Sequence, residues 1–193
     1  LLLMAKLGLL RTAENLYSKA GLIAGNVDTS LSPEGMDQTK IACSRLKNNM
    51  WNILFTSDMK RSIESADIIK DNCSVINHEV MECLYARDYG NFTGLSLEQI
   101  YNQYGQTVSD HMLNSYDDTP PSGETLANIQ SRIQFFYDKK LLPKLNEGKN
   151  ILCVLHHDVL FVILNHINML NNEQYKQDLF PYCNYIEINH EKD

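Results

Sequence analysis

Apolar and polar positions along the chain alternate between two regimes. Short apolar runs at Lys6–Leu10, Asn52–Thr56 and Ile151–Leu155 have strand length. The last contains no polar residue, as expected of a strand covered on both faces. Ser74–Asn77 and Asn184–Ile188 are further strand candidates. Helical segments lie between these runs. Ser32-Pro33-Glu34 places Ser at an N-cap and Pro in the first turn, predicting a helix to about Asn48. Ser57 is expected to cap a helix running to about Asp71. Ser96 and Gln99 have capping-box spacing and open a short helix, and a second covers Thr107–Asn114. After the turn-rich Asp117–Gly123, a long helix is predicted from Thr125 to about Leu142. Glu147-Gly148-Lys149-Asn150 forms a turn, and Asp158–Ile167 an apolar helix. The alternation predicts an α/β fold with three layers, α/β/α, around a mostly parallel central sheet. With no repeat, low-complexity tract or linker, residues 1–193 read as one domain.

Composition narrows the partners. A chain of 193 residues with 44% hydrophobic and 21% charged residues can bury a sizeable core. The net charge is −7 and basic residues do not cluster, which argues against nucleic acid. No apolar run reaches bilayer length, so no membrane span is expected. Leu1-Leu2-Leu3-Met4 is too short for a signal peptide. Cys43, Cys73, Cys83, Cys153 and Cys183 are widely spaced and odd in number, which predicts free thiols in a reducing, cytoplasmic setting. Two glycosylation sequons, at Asn72 and Asn91, are then chance matches.

Ligands of open α/β sheets sit beyond the carboxyl ends of the strands. Three such ends carry notable chemistry: Arg11 after the first strand, Ser57-Asp58-Met59-Lys60-Arg61 after the second, and His156-His157-Asp158 after Ile151–Leu155. Two guanidiniums and an imidazole beside a helix start suit an anion such as phosphate. Structural ion pairs of Arg11 and Arg61 are the alternative. Consecutive residues such as His156, His157 and Asp158 rarely converge on one ion, so no metal is expected. His78, His111, His166 and His190 are scattered, and Cys153 sits mid-strand outside any phosphate-cradling loop.

Ordered motifs across nearly the whole chain resemble the histidine phosphatase superfamily, in particular its phosphoglycerate mutase-like branch. Arg11-Thr12-Ala13-Glu14 stands where that family has Arg-His-Gly-Glu. Gly25 and Asp28 fall on its Gly-Trp-Thr-Asp, and Leu31-Ser32 with Gly35 on its Leu-Ser-x-x-Gly. Thr56 to Arg61 is similar to Thr-Ser-Asp-Leu-Lys-Arg, and Arg87-Asp88-Tyr89-Gly90 with Gly94-Leu95 to Arg-His-Tyr-Gly-x-x-x-Gly-Leu. Pro120 to Thr125 is similar to Pro-Pro-x-Gly-Glu-Ser, and Val154-Leu155-His156-His157 to Val-Ala-His-Gly.

The resemblance implies a phosphate pocket of Arg11, Arg61 and His156, with His157 beside it, and a substrate pocket drawing on Glu14, Arg87, Tyr89 and Glu124. His156 is the one catalytic position of the family's set that keeps its residue. The nucleophilic His is replaced by Thr12 and the acid/base Glu by Ala86. Glu82 and Asp88 are the nearby carboxylates, but neighbouring positions point elsewhere. Cations that would hold a phosphoglycerate are replaced by Leu97, Leu113, Asn114 and Phe161, and a substrate-contacting Thr by Ala24. The implied protein is inactive or severely impaired, a pseudoenzyme that binds a phosphate-containing small molecule or phosphoprotein in sensing or regulation. It needs no cofactor, and a homo-oligomer is compatible with it. The alternative is an active phosphomonoesterase of altered mechanism using His156 or His157.

Overall fold

Five strands carry the molecule, and a computed structural model describes residues 4–191. The expectation for Leu1-Leu2-Leu3 therefore lies outside the described residues. The strands are β1 (Met4–Arg11), β2 (Met50–Thr56), β3 (Ser74–Val80), β4 (Ile151–Leu155) and β5 (Tyr185–Glu191). They are ordered β3-β2-β4-β1-β5. The first four run parallel, with Leu9 opposite Cys153 and Cys153 opposite Phe55, and β5 pairs antiparallel with β1 at the edge. The mostly parallel sheet expected from the sequence is thus present, with one antiparallel edge.

The helices are α1 (Leu16–Lys19), α2 (Pro33–Leu46), α3 (Lys60–Asn72), α4 (Leu97–Tyr104), α5 (Gln106–Asn114), α6 (Leu126–Phe136), α7 (Leu142–Asn146) and α8 (His157–His166). Period-two alternation divides the strands between two cores. Leu7, Leu9, Phe55, Cys153 and Leu155 pack with α6 and α8 through Ile133, Phe136, Leu160 and Ile163. Leu10, Leu54, Leu152 and Val154 pack on the other face with Ala42, Leu46, Ala66 and Ile69 of α2 and α3. Each such aliphatic side chain contributes about 1.5–3 kcal/mol on burial, whereas exposed pairs such as Lys19–Glu34 are screened by water and contribute little. The cores therefore hold the layers together.

Caps decide most helix starts. Ser32 Oγ accepts the Gly35 N–H at 2.9 Å. Ser96 and Gln99 exchange both bonds of a capping box, and Thr125 does the same with Asn128. Two expectations are corrected. Ser57 caps nothing: the helix begins at Lys60, and the N-cap Met59 has no side-chain bond to give. The long helix from Thr125 is interrupted at a π-turn, Tyr137–Leu141, before α7. Pro143 accounts for the break, because it lacks an N–H and its ring clashes with the carbonyl four residues earlier. All five cysteines are free thiols, and burial pushes Cys43 up to about 12. Among the described residues no helix is long and apolar enough to cross a membrane.

Candidate functional site

The chain ends of β1 and β4 lie side by side, because Arg11 pairs in register with Leu155. A cavity of about 210 Å³ opens there, lined by Arg11, Thr12, Arg61, Ala86, His156 and His157 among others. Arg11 ends β1. Its guanidinium donates to the Phe180 carbonyl and lies 4.5 Å from the centre of the Tyr182 ring. Burial lowers its pKa, and Tyr182 and Asp158 push it back. Arg61, in the first turn of α3, donates to the carbonyls of Val27 at 2.7 Å and Gly25 at 3.0 Å. Burial brings its pKa to about 10, against the field of Asp28, so it remains a cation at neutral pH. Both arginines are thus held by backbone carbonyls, Arg11 also by an aromatic face, and among the described residues neither forms the ion pair that was the alternative reading.

His156 stands at the N-cap position of α8, makes no side-chain cap bond and is buried. Its Nε2 lies 3.0 Å from Ser57 Oγ and 3.3 Å from Ser62 Oγ. Burial, with Arg61 and Arg132 nearby, pushes its pKa well below the ordinary value, leaving a neutral imidazole. Beside it, His157 Nδ1 is 3.1 Å from Asp158 Oδ1, and Nε2 accepts the Phe180 N–H at 3.4 Å. In that arrangement Nδ1 donates to Asp158 and Nε2 accepts from Phe180. Asp158 also receives the hydroxyls of Tyr89 at 2.8 Å and Tyr175 at 2.6 Å. Burial alone would raise its pKa, but the bonds from His157 and Tyr175 and the charge of Arg87 hold it well below the carboxylate range. Tyr89 is raised by burial and by Asp158.

Thr12 occupies the loop after β1, its N–H bonded to the Leu155 carbonyl at 2.9 Å and its side chain on the cavity wall. Ala86 lines the same cavity and offers a methyl group. Glu82 is exposed on a short 3-10 turn, and Asp88 Oδ1 accepts the Gly90 N–H at 2.7 Å, so neither carboxylate enters. Arg87 and Tyr89 line the cavity, yet Arg87 is committed to the Glu124 carbonyl at 2.9 Å, Tyr175 at 3.3 Å and the Asp118 carbonyl at 3.2 Å.

Two expected pocket residues fall outside the lining. Glu14 turns to the Ser32 hydroxyl at 2.6 Å, and the Glu124 carboxylate accepts the Asp88 N–H at 2.9 Å, binding two loops together. Leu97 is exposed, Phe161 belongs to the core under α6 and α8, Leu113 is buried in a separate cluster with Tyr89, Phe92 and Ile100, and Asn114 accepts the Gln177 N–H. Ala24 does line the cavity. Sequence reasoning missed the Ser57–Ser62 pair on His156, and Tyr175 and Tyr182, which lie in a segment without periodicity. Among the described residues the wall carries three guanidiniums against one carboxylate. Among the described residues no group of three His, Cys, Asp or Glu converges as a metal site would.

Comparison with known proteins gives a consistent picture. The model of the histidine phosphatase superfamily (branch 1) matches residues 7–193. A 2,3-bisphosphoglycerate-dependent phosphoglycerate mutase of Cytophaga hutchinsonii is 30% identical over 171 residues, covering 88% of this chain and 80% of that protein. Among solved structures, one described as mycobacterial hydrolase 1 superposes with a TM-score of 0.84 at 17% identity, covering 96% of this chain and 92% of the other. A mycobacterial glucosyl-3-phosphoglycerate phosphatase with VO3 gives 0.81 at 17% identity, covering 95% and 90%.

Proposed function

The chain belongs to the histidine phosphatase superfamily, branch 1, and from that premise we propose that it binds a phosphoryl anion between Arg11, Arg61 and His156 without turning it over by a phosphohistidine route. The observation that carries this reading is the excess of positive charge on the cavity wall. The half-buried guanidinium of Arg11 and the buried one of Arg61 face backbone carbonyls, which orient a cation but do not neutralise it. Asp158 is the only carboxylate on the wall among the described residues, and its oxygens are taken by Tyr89, Tyr175 and His157. Charge taken from water without a contacting counter-charge is costly, and a dianion entering between the arginines relieves it. The same dianion favours the protonated form of His156 and so gains a third partner.

Turnover lacks its parts. Thr12 presents an alcohol, a poor nucleophile without an adjacent base, and Ala86 cannot move a proton. Removing a nucleophile from a unit of cooperating groups costs on the order of 10⁴–10⁶-fold in rate. The His157–Asp158 pair favours a second reading, an altered phosphomonoesterase with His157 as base or nucleophile. Against it, His157 Nε2 is turned to the Phe180 N–H. The ligand is a phosphate-containing small molecule or phosphoprotein met in the cytoplasm, and the role is sensing or regulation.

Thermal unfolding in a phosphate-free buffer tests the binding. Phosphate, sulfate or vanadate is expected to raise Tm, by the equivalent of about 2.7 kcal/mol at a hundredfold excess over Kd. An Arg11→Ala/Arg61→Ala double variant should lose the shift; an equal shift in that variant would remove the site from these residues. A broad phosphomonoester panel tests turnover, and hydrolysis that vanishes in His157→Ala would establish the second reading instead.

A further inference from the structure

The cavity lining is of two kinds. One is cationic: Arg11, Arg61 and Arg87. The other is a neutral wall of Leu22, Ile23 and Ala24, with the ring of Tyr182 that lies against Arg11. This wall is built in: Leu22 bridges to Ser96, the Ile23 N–H donates to the Leu95 carbonyl at 2.9 Å, and the Gly94 N–H donates to the Ile23 carbonyl at 2.8 Å. Three polar lining residues, Asn15, Ser18 and Gln177, are uncharged. The remaining cation is Arg87. It donates to the Glu124 and Asp118 carbonyls and the Tyr175 hydroxyl, and the charge that opposes it is that of Asp158. Among the described residues no lysine lines the cavity. Its volume, about 210 Å³, is small beside the ~300–1,000 Å³ usual for drug-sized ligands.

We infer that the natural ligand is a small phosphomonoester whose organic body is uncharged and apolar, no larger than a single ring or short chain, with the body lying against Leu22, Ile23 and Tyr182. The inference rests on the phosphoryl site above and adds the chemistry of what is attached to it. A body carrying a carboxylate would leave water for uncharged donors at Asn15, Ser18 and Gln177 and no counter-charge of its own. An apolar body removes its own surface and that of the wall from water.

Titration calorimetry with inorganic phosphate, methylphosphonate, phenylphosphonate and 3-phosphoglycerate separates the two layers of the argument. The phosphonates share one head group and differ in body. Phenylphosphonate is expected to bind about tenfold tighter than methylphosphonate, and 3-phosphoglycerate no tighter than inorganic phosphate. In Ile23→Asn the phenyl advantage should fall while phosphate affinity stays, which also shows that the variant is folded. Phosphate binding with equal affinity for the two phosphonates, or with 3-phosphoglycerate tightest, overturns the inference and leaves the phosphoryl site standing. A phenyl advantage unchanged in both Ile23→Asn and Leu22→Asn overturns the placement of the body. No binding by any of the four removes the phosphoryl site and the inference with it.

Discussion

His156 is the residue at which stability and binding meet. In the unfolded chain its imidazole titrates near the ordinary 6.5, whereas in the folded protein burial, Arg61 and Arg132 keep it neutral to well below that. Asp158 pulls the other way and does not prevail. The folded pKa is the lower one, so on acidification the unfolded state takes up the proton first. The contribution to stability is full above pH ~6.5 and is lost as pH falls below it, with a limiting slope of about 1.4 kcal/mol per pH unit. Urea unfolding at pH 7.5 and 5.5 without phosphate should therefore show a loss that shrinks in His156→Gln. It will not vanish, because burial and Lys70 depress His78 in the same direction. Equal losses in the two proteins would mean that His156 is protonated when folded. Arg11, Arg61 and His156 were legible as charges at strand ends. Ser57 was not, because a serine after a strand is as good a helix cap as it is a partner for a histidine, and only its 3.0 Å contact with His156 distinguishes the two.

At the scale of elements, α2 sets the position of the loop that carries Thr12. A Cβ on Gly35 would stand 2.0 Å from the Glu14 carbonyl oxygen and 3.0 Å from its carbon. That neighbour is backbone, so no rotamer change relieves the clash. Ser32 fixes the same junction from the other side, its N–H bonded to the Glu14 carbonyl at 3.0 Å and its hydroxyl to the Glu14 carboxylate. Gly35→Ala is expected to cost about 1–3 kcal/mol or more by overpacking. It should also weaken phosphate-induced stabilisation, because the loop after β1 must shift. Met36→Ala, on the exposed side of α2, should stay within about 0.5 kcal/mol. Comparable urea midpoints for the two variants would show that α2 has room to move. The caps at Ser32, Ser96 and Thr125 made these helices readable. The segment from Tyr175 to Asn184, which brings Phe180 and Tyr182 onto Arg11, has neither period nor cap to announce it, and the residues sequence reasoning missed are concentrated there.

For the whole molecule, alternation of strand and helix was enough to indicate the layers, but strand order was not in the pattern. Only the order β2-β4-β1 explains why residues far apart in the chain, Arg11 and His156, share one cavity. That frame is the superfamily's, and on the function proposed above the groups that would do chemistry have changed at Thr12, Ala13 and Ala86. If the change is confined to side chains, putting them back should restore the first chemical step. Thr12→His, Ala13→Gly and Ala86→Glu together are expected to give a protein that takes acid-labile, base-stable label from a radiolabelled phosphomonoester, whereas the natural chain takes none. His157 stands against this, since its ring occupies the cavity wall, held by Asp158 and Phe180. Adding His157→Gly should therefore increase the labelled fraction, at a cost in stability because Asp158 loses one of its three donors. Label appearing only in the fourfold variant would identify His157 as the obstruction. No label in either would mean that the backbone around the cavity, and not its side chains alone, has departed from a geometry that allows in-line transfer.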